Sequence, residues 1–268
     1  MKVYVNEKGM NFQEGIRCFG IKERIKPNGD ILILNGFPIE EDKVVIEGDK
    51  IVIIKRGEIP NDEELKNLMM SRHTPYVYER IKNSRVAIAG LGGLGSNVAI
   101  ALARVGVGFL RIVDFDLVEP SNLNRQQYFI NQIGMKKSKG LKETIKNINP
   151  FIKVDDVDEY VTKENIRELF SDIDIVVEAF DKVENKVMLI SEVLKNISTV
   201  KVVSASGMAG YFSNNLIKTR KINSRLYLCG DEESEAKIGC GLMAPRVGIV
   251  AHHEANMVLR ILLGEEKV

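Results

Sequence analysis

Apolar and polar positions alternate in two different rhythms along this chain. Near the start, Lys2–Val5 reads as a short strand, and Asn6-Glu7-Lys8-Gly9 reads as the turn that follows it. Residues 14–26 have room for one helix. Ile31–Leu34 is an apolar strand that runs into Asn35-Gly36, a turn signal, and then Pro38. Residues 50–56 alternate again, with Ile51 and Ile53 set against Lys50 and Lys55. Pro60 followed by Asn61, Asp62, Glu63 and Glu64 marks a helix start that carries Leu65, Leu68 and Met69 on one face. Pro75 interrupts that helix, and a second short one runs through Tyr78 and Ile81.

From Arg85 onward the rhythm changes. Buried strands are expected at 86–89, 108–113, 154–157, 174–177 and 200–204. Helices are expected at 96–105, 136–148, 163–170 and 182–197, with a final apolar-striped helix at 244–263. Strands alternating with helices imply βαβ units, hence a mostly parallel, Rossmann-like α/β sheet with helices on both faces. The strands and single helix of the first 58 residues fit a small ubiquitin-like β-grasp unit. The expected organisation is therefore a β-grasp domain at 1–58, a helical connector at 59–84 and a nucleotide-binding domain at 85–268.

Composition narrows the function. With 38 Lys and Arg against 37 Asp and Glu, the formal net charge is +1, which gives no overall electrostatic reason to expect nucleic acid or an anionic membrane as partner. No apolar run approaches membrane-spanning length, and the first ten residues lack the order of a signal peptide. Three cysteines do not make a disulfide framework, so a reducing cytoplasm is expected.

The chemistry begins at Gly90-Leu91-Gly92-Gly93-Leu94-Gly95, a G-x-G-x-x-G between a strand and a helix. Glycines let the backbone turn tightly and approach a phosphate, and the free N–H groups of a helix start favour an anion. Asp114 closes the next strand about 20 residues on, where an acid accepts hydrogen bonds from ribose hydroxyls. These features alone fit a nucleotide or a dinucleotide, so an NAD(P)-binding oxidoreductase stays open on them. The residues that follow favour ATP. Asn122, Arg125 and Gln126 lie in Ser121-Asn122-Leu123-Asn124-Arg125-Gln126, and Lys137 opens a helix. Asp181 follows a strand at the edge where α/β ligands bind. Arg125 and Lys137 can neutralise triphosphate oxygens and Asp181 can hold Mg²⁺. The bland alternative is that both cations are solvated surface groups.

GLGGLGS, then DFD, SNLNRQ, G-x-x-K and a strand ending in FD resemble, in that order, the ThiF/MoeB adenylyltransferases of the ubiquitin-activating-enzyme-like superfamily, ThiF above all. The resemblance spans nearly all of residues 72–268. It implies that ATP binds, that the terminal glycine carboxylate of a small carrier protein attacks the α-phosphorus, and that pyrophosphate leaves. It assigns Gly90, Gly92, Gly93, Leu94 and Gly95 to the phosphate loop and Asp114 to ribose. Asn122, Arg125, Gln126 and Lys137 go to phosphates, and Asp181 to Mg²⁺. Arg72 resembles the arginine that family homodimers supply to the neighbouring subunit's triphosphate; an exposed helix position is its bland alternative.

Many relatives bind a structural zinc through two C-x-x-C pairs. Cys18, Cys229 and Cys240 cannot supply that set, so no zinc is expected. Cys240 resembles the position of a cysteine that links covalently to the carrier in some ThiF proteins; an incidental thiol is the other reading, since adenylation needs no enzyme thiol. His252 and His253 are adjacent on a helix, diverge, and cannot share a metal. The first 58 residues resemble ThiS, the sulfur carrier for the thiazole of thiamine, but the chain continues through Lys55-Arg56-Gly57-Glu58 and offers no free glycine carboxylate there. The expected substrate is ThiS, with a molybdopterin-type carrier as the alternative.

Overall fold

The strand signals of the first segment assemble into a five-stranded mixed sheet. Its strands are β1 (Lys2–Val5), β2 (Lys8–Asn11), β3 (Ile31–Leu34), β4 (Phe37–Pro38) and β5 (Lys50–Ile54), in the order β2-β1-β5-β3-β4. β1 pairs parallel with β5, and the other neighbours are antiparallel. The turn expected over four residues takes only two. Asn6 and Glu7 alone turn the chain, with φ of 46° and 66°. Two central residues at positive φ match the right-handed twist of a hairpin, so Lys8 and Gly9 already belong to β2. Helix α1 (Cys18–Ile25) starts four residues later than expected. Val3, Val5, Leu32, Ile51 and Ile53 bury one face of this sheet against Cys18 and Ile21 of α1.

This computed structural model describes residues 1–59, 62–70 and 75–268, and the chain forms two compact units, Met1–Tyr78 and Glu79–Val268. The first unit also contains α2 (Asp62–Met70); α3 (Pro75–Lys82) follows. Lys26 reaches Glu58 at 3.2 Å and Glu64 at 3.0 Å, and Asp30 accepts the Arg56 N–H at 2.9 Å. These contacts fold the segment after β5 back onto its own unit.

The second unit is built on a seven-stranded sheet. In chain order its elements are β6 (Arg85–Ala89), α4 (Gly93–Val105), β7 (Phe109–Val113), α5 (Lys137–Ile148), β8 (Lys153–Val157), α6 (Ile166–Phe170), β9 (Ile175–Glu178), α7 (Val183–Asn196), β10 (Lys201–Ala205), β11 (Lys218–Lys221), β12 (Leu226–Gly230) and α8 (Ala244–Leu262). The strand order is β11-β12-β10-β9-β6-β7-β8, parallel throughout except for β11. From β6 the chain steps outward through β7 to β8, then returns to place β9 on the other side of β6. The crevice between β6 and β9 is thus the topological switch point, where ligands bind in open α/β sheets. Ala87, Ala89, Val176 and Val202 pack against Phe170, Leu189 and Val193 of α6 and α7. The opposite face is covered by α4, α5 and α8.

β11 and β12 were not anticipated. β11 is Lys-Thr-Arg-Lys, an antiparallel edge strand without an apolar face, and lysines on an edge discourage pairing with other chains. One buried ion pair fastens α8 to the end of β12. Arg246 is 2% exposed. Its Nη2 meets Asp231 Oδ2 at 2.5 Å, and its Nη1 donates to the Phe212 carbonyl at 2.8 Å. Asp231 also accepts from the Ser234 and Glu233 amides.

Removing one partner of a buried pair strands the other charge. Asp231→Asn is therefore expected to destabilise the second unit by about 3–5 kcal/mol, measured by urea unfolding. Burial opposes ionisation of Asp231, but its donors prevail and lower its pKa to about 2. A lowered carboxylate stabilises above its unfolded-state pKa and loses that contribution as pH falls through its folded value. The wild-type advantage over Asp231→Asn should therefore shrink between roughly pH 4 and pH 2.

Candidate functional site

The glycine loop sits at the switch point and is fixed by backbone contacts. Gly90 follows β6 with φ of 90°, and a Cβ there would lie 2.7 Å from the Ala179 carbonyl oxygen. A Cβ on Gly95 would lie 1.9 Å from the Gly90 carbonyl oxygen. A side chain at either position would force strand, helix and loop apart. Gly92 caps α4 without a side-chain hydrogen bond, so the first amides of the helix face outward as a site for an anion. Leu94 is buried and anchors the first turn.

Asp114 follows β7 beside this loop and is 8% exposed. Its Oδ2 accepts the Leu91 N–H at 2.6 Å and its Oδ1 the Asp116 N–H at 2.9 Å. Burial pushes its carboxyl up, and the charge of Lys137 and those two amides oppose the rise. Asp114 thus ties the glycine loop to the next strand. Tyr128 adds a second tie: its buried hydroxyl donates to the Leu91 carbonyl at 2.9 Å, and burial raises its pKa.

The segment between β7 and α5 wraps over the loop. Asn122 is buried, and its Oδ1 accepts the Glu119 N–H at 3.0 Å, closing a 3-10 turn. That turn sets the stem of Arg125 against Gly93: Cγ and Cδ lie 3.6 and 3.7 Å from a Cβ built there. Arg125 Nη1 donates to Asn124 Oδ1 at 2.8 Å. Gln126 is buried beside Gly92, and its Oε1 has no hydrogen-bond partner among the described residues. A buried polar atom left unpaired costs about 1–3 kcal/mol; this oxygen would need a donor, whereas the Gln126 atom nearest Gly92 is the amide nitrogen Nε2, which can donate to an anion. Lys137 opens α5 with its Nζ 2.8 Å from Asp116 Oδ2. The ammonium side is 8% exposed and the carboxylate side 49%, so Asp116 can turn to solvent when another anion arrives.

Asp181 follows β9 on the far side of the crevice. It is exposed, and no described residue pairs with it. Among the described residues no three His, Cys, Asp or Glu side chains gather as a metal cage. Mg²⁺ does not require one, because it is commonly held by one or two carboxylates plus substrate phosphates and water. A free carboxylate beside a phosphate loop fits that donor set. The glycine loop, Asp114, Arg125, Gln126 and Lys137 are linked by contacts; the loop that carries Asp181 meets them at Ala179, which packs against Gly90. Arg72 lies outside the described residues.

Cys240 stands apart from this group. Lys237 and Cys240 exchange backbone hydrogen bonds at 3.0 and 2.8 Å, which closes a tight turn with Ile238 fully exposed at its tip. The Cys240 Sγ packs against Gly210. His252 bonds the Gly248 carbonyl, while His253 meets Thr219, so the two histidines do diverge.

Several buried polar groups escaped the sequence reading. Glu178 and Ser204 are fully buried, and Lys186 pairs with Glu178. Glu254 is fully buried on α8 with neither carboxylate oxygen hydrogen-bonded within the described residues. Burial raises its pKa well above the ordinary value; Lys186 opposes this and Glu178 reinforces it. The buried Cys229 thiol is pushed up to about 12 by burial and by Glu254. An acid inside an apolar-periodic helix carries no pattern that announces it.

The ThiF family model matches residues 65–268, and a ThiS-like ubiquitin model matches residues 1–57. The chain is 32% identical over 191 residues to the adenylyltransferase and sulfurtransferase UBA4 of Candida glabrata, covering 69% of this chain and 44% of that protein. It is 29% identical over 195 residues to the molybdopterin-synthase adenylyltransferase of Escherichia coli, covering 70% and 77%. The chain thus spans less than half the length of the first of these relatives. Among solved structures, the E. coli tRNA N6-threonylcarbamoyladenosine dehydratase TcdA in complex with ATP shares the fold. Its TM-score is 0.68 at 22% identity, over 78% of this chain and 98% of that one. No helix among the described residues is long and apolar enough to cross a membrane.

Two substitutions test this geometry. Gly95→Ala should cost at least about 1–3 kcal/mol, as overpacking does, and abolish nucleotide binding, read by thermal unfolding and a fluorescent-nucleotide titration. Glu254→Gln should flatten the pH dependence of stability. A carboxyl with a raised folded-state pKa stabilises below its unfolded value and loses that contribution as pH rises through the folded one. The variant should therefore gain on wild type as pH rises above the ordinary carboxylate range, measured by Tm.

Proposed function

Because the chain belongs to the ThiF family, we propose that it uses ATP to adenylate the C-terminal glycine carboxylate of a ubiquitin-like sulfur-carrier protein. The foremost support is the glycine loop at the switch point, with the Arg125 stem against Gly93 and the Gln126 side-chain amide nitrogen, a donor, beside Gly92. In this reading residues 85–268 carry the chemistry, 59–84 connect, and 1–58 form a carrier-like domain without carrier chemistry. Asp114 takes the ribose hydroxyls, the α4 amides take phosphate oxygens, and Asn122 and Gln126 complete that cradle.

The carrier's carboxylate oxygen attacks the α-phosphorus. A C(O)O–P bond forms, the bond to the bridging oxygen breaks, and pyrophosphate departs with the electron pair, leaving an acyl-adenylate. Both reactants are anions, so the enzyme's work is to hold them together and screen their charge. Arg125 and Lys137 do the screening, and Lys137 exchanges Asp116 for phosphate. Asp181 would hold Mg²⁺, which supplies charge neutralisation of the triphosphate.

The preferred carrier is ThiS, supported by the ThiS-like segment at 1–57. In a homodimer, Arg72 reaches the neighbouring subunit's triphosphate. Cys240, on its exposed turn, is the thiol available for a carrier adduct.

Radiolabelled pyrophosphate exchange with purified carriers tests the proposal. Exchange with a ThiS-like carrier is expected. Exchange only with a molybdopterin-type carrier, or only with tRNA, would move the substrate. No exchange with any of them, together with NADH binding, would overturn the reading in favour of a dehydrogenase. Arg125→Ala and Lys137→Ala should each reduce exchange by about 10²–10³, the scale of one lost transition-state contact; near-full exchange in both would remove them from the site.

A further inference from the structure

A buried carboxylate, Glu178, holds both ends of the loop that presents Asp181. It is the last residue of β9 and fully buried. Its Oε1 reaches forward to accept the Phe180 N–H at 2.8 Å. Its Oε2 accepts the Ser204 hydroxyl of β10 at 2.5 Å and is also paired with Lys186. Lys186 belongs to the first turn of α7, the helix that begins two residues after Asp181. The four residues 179–182 joining strand to helix are therefore fastened at their start through Phe180 N–H and just beyond their end through Lys186, both to one carboxyl group. A further bond from Ala179 N–H to the Ala89 carbonyl at 2.9 Å ties the same loop to β6, next to Gly90.

Burying this pair in the sheet is costly unless geometry and hydrogen bonding are good. An apolar pair would serve the core as well, so stability alone gives weak reason for it. Glu254 makes no hydrogen bond within the described residues, and it feels the charges of both Lys186 and Glu178. Asp181 itself has no described partner to orient it. Its position is set by the backbone on which it stands, and that backbone is set by Glu178.

We infer that Glu178, clamped by Lys186 and Ser204, is a positioning residue that holds the Asp181 carboxylate toward the metal-bound nucleotide. It touches neither ATP nor carrier. The inference rests on the adenylation reading of the site and deepens it.

Calorimetric titration of ATP into the full chain, with and without Mg²⁺, separates the possibilities when wild type, Glu178→Gln and Asp181→Asn are compared. In wild type, Mg²⁺ should tighten ATP binding, and Asp181→Asn should lose most of that gain. Glu178→Gln should lose about tenfold of the gain while metal-free ATP affinity stays within about twofold, because one transition from a charged to a neutral hydrogen bond weakens the clamp without touching the phosphate loop. Amide exchange at Phe180 should rise in the same variant. If Glu178→Gln does not fold, Glu178→Gln combined with Lys186→Met leaves no unpaired charge and should show the same loss. A full Mg²⁺ gain in the Glu178 variants, with Asp181→Asn defective and only Tm lowered, would overturn the positioning role and leave the adenylation reading standing. No ATP binding by wild type, or an undiminished Mg²⁺ gain in Asp181→Asn, would overturn the site assignment and the inference with it.

Discussion

Everything around the crevice depends on how closely three pieces of backbone approach one another. Gly90, just after β6, has the Ala179 carbonyl where a Cβ would stand, and Gly95 in α4 lies against the Gly90 carbonyl. No side chain fits in either gap. That contact lets the helix start directly at the strand end, so its first amides converge on the place where the strand order reverses. It also brings the loop after β9 alongside the loop after β6. A glycine turn and the loop that carries Asp181, from a distant part of the sequence, become neighbours through packing of main chain.

Charge is then arranged around this frame by buried carboxylates with defined hydrogen bonds. Asp114 holds the Leu91 and Asp116 amides, and Asp116 pairs with Lys137. On the other bank Glu178 holds Phe180 and Lys186. Each bank thus has one buried acid fixing the backbone. Low local dielectric makes such contacts strong when satisfied and expensive when broken.

Much of this was legible in the sequence, for identifiable reasons. The parallel strands are buried on both faces and read as apolar runs, so β6, β7, β9 and β10 were found nearly to the residue. The glycine loop was legible because only glycine satisfies its contacts. β11 was not, since a Lys-Thr-Arg-Lys edge strand has no apolar face to show. The hairpin at Asn6-Glu7 was drawn too wide because Gly9 is a stronger turn signal than Glu7, although it is Glu7 that adopts positive φ. Glu178, Lys186 and Glu254 were invisible as a group. Their partnership depends on which strands and helices become neighbours, and no local spacing encodes that.

The most direct measurement is a crystal structure of the chain soaked with ATP and Mg²⁺. The account predicts ribose hydroxyls on Asp114, phosphate oxygens on the amides that open α4, Lys137 turned from Asp116 to the triphosphate, and Asp181 at the metal. A nucleotide bound elsewhere, or bound here with Arg125, Lys137 and Asp181 all directed away from it, would contradict the account.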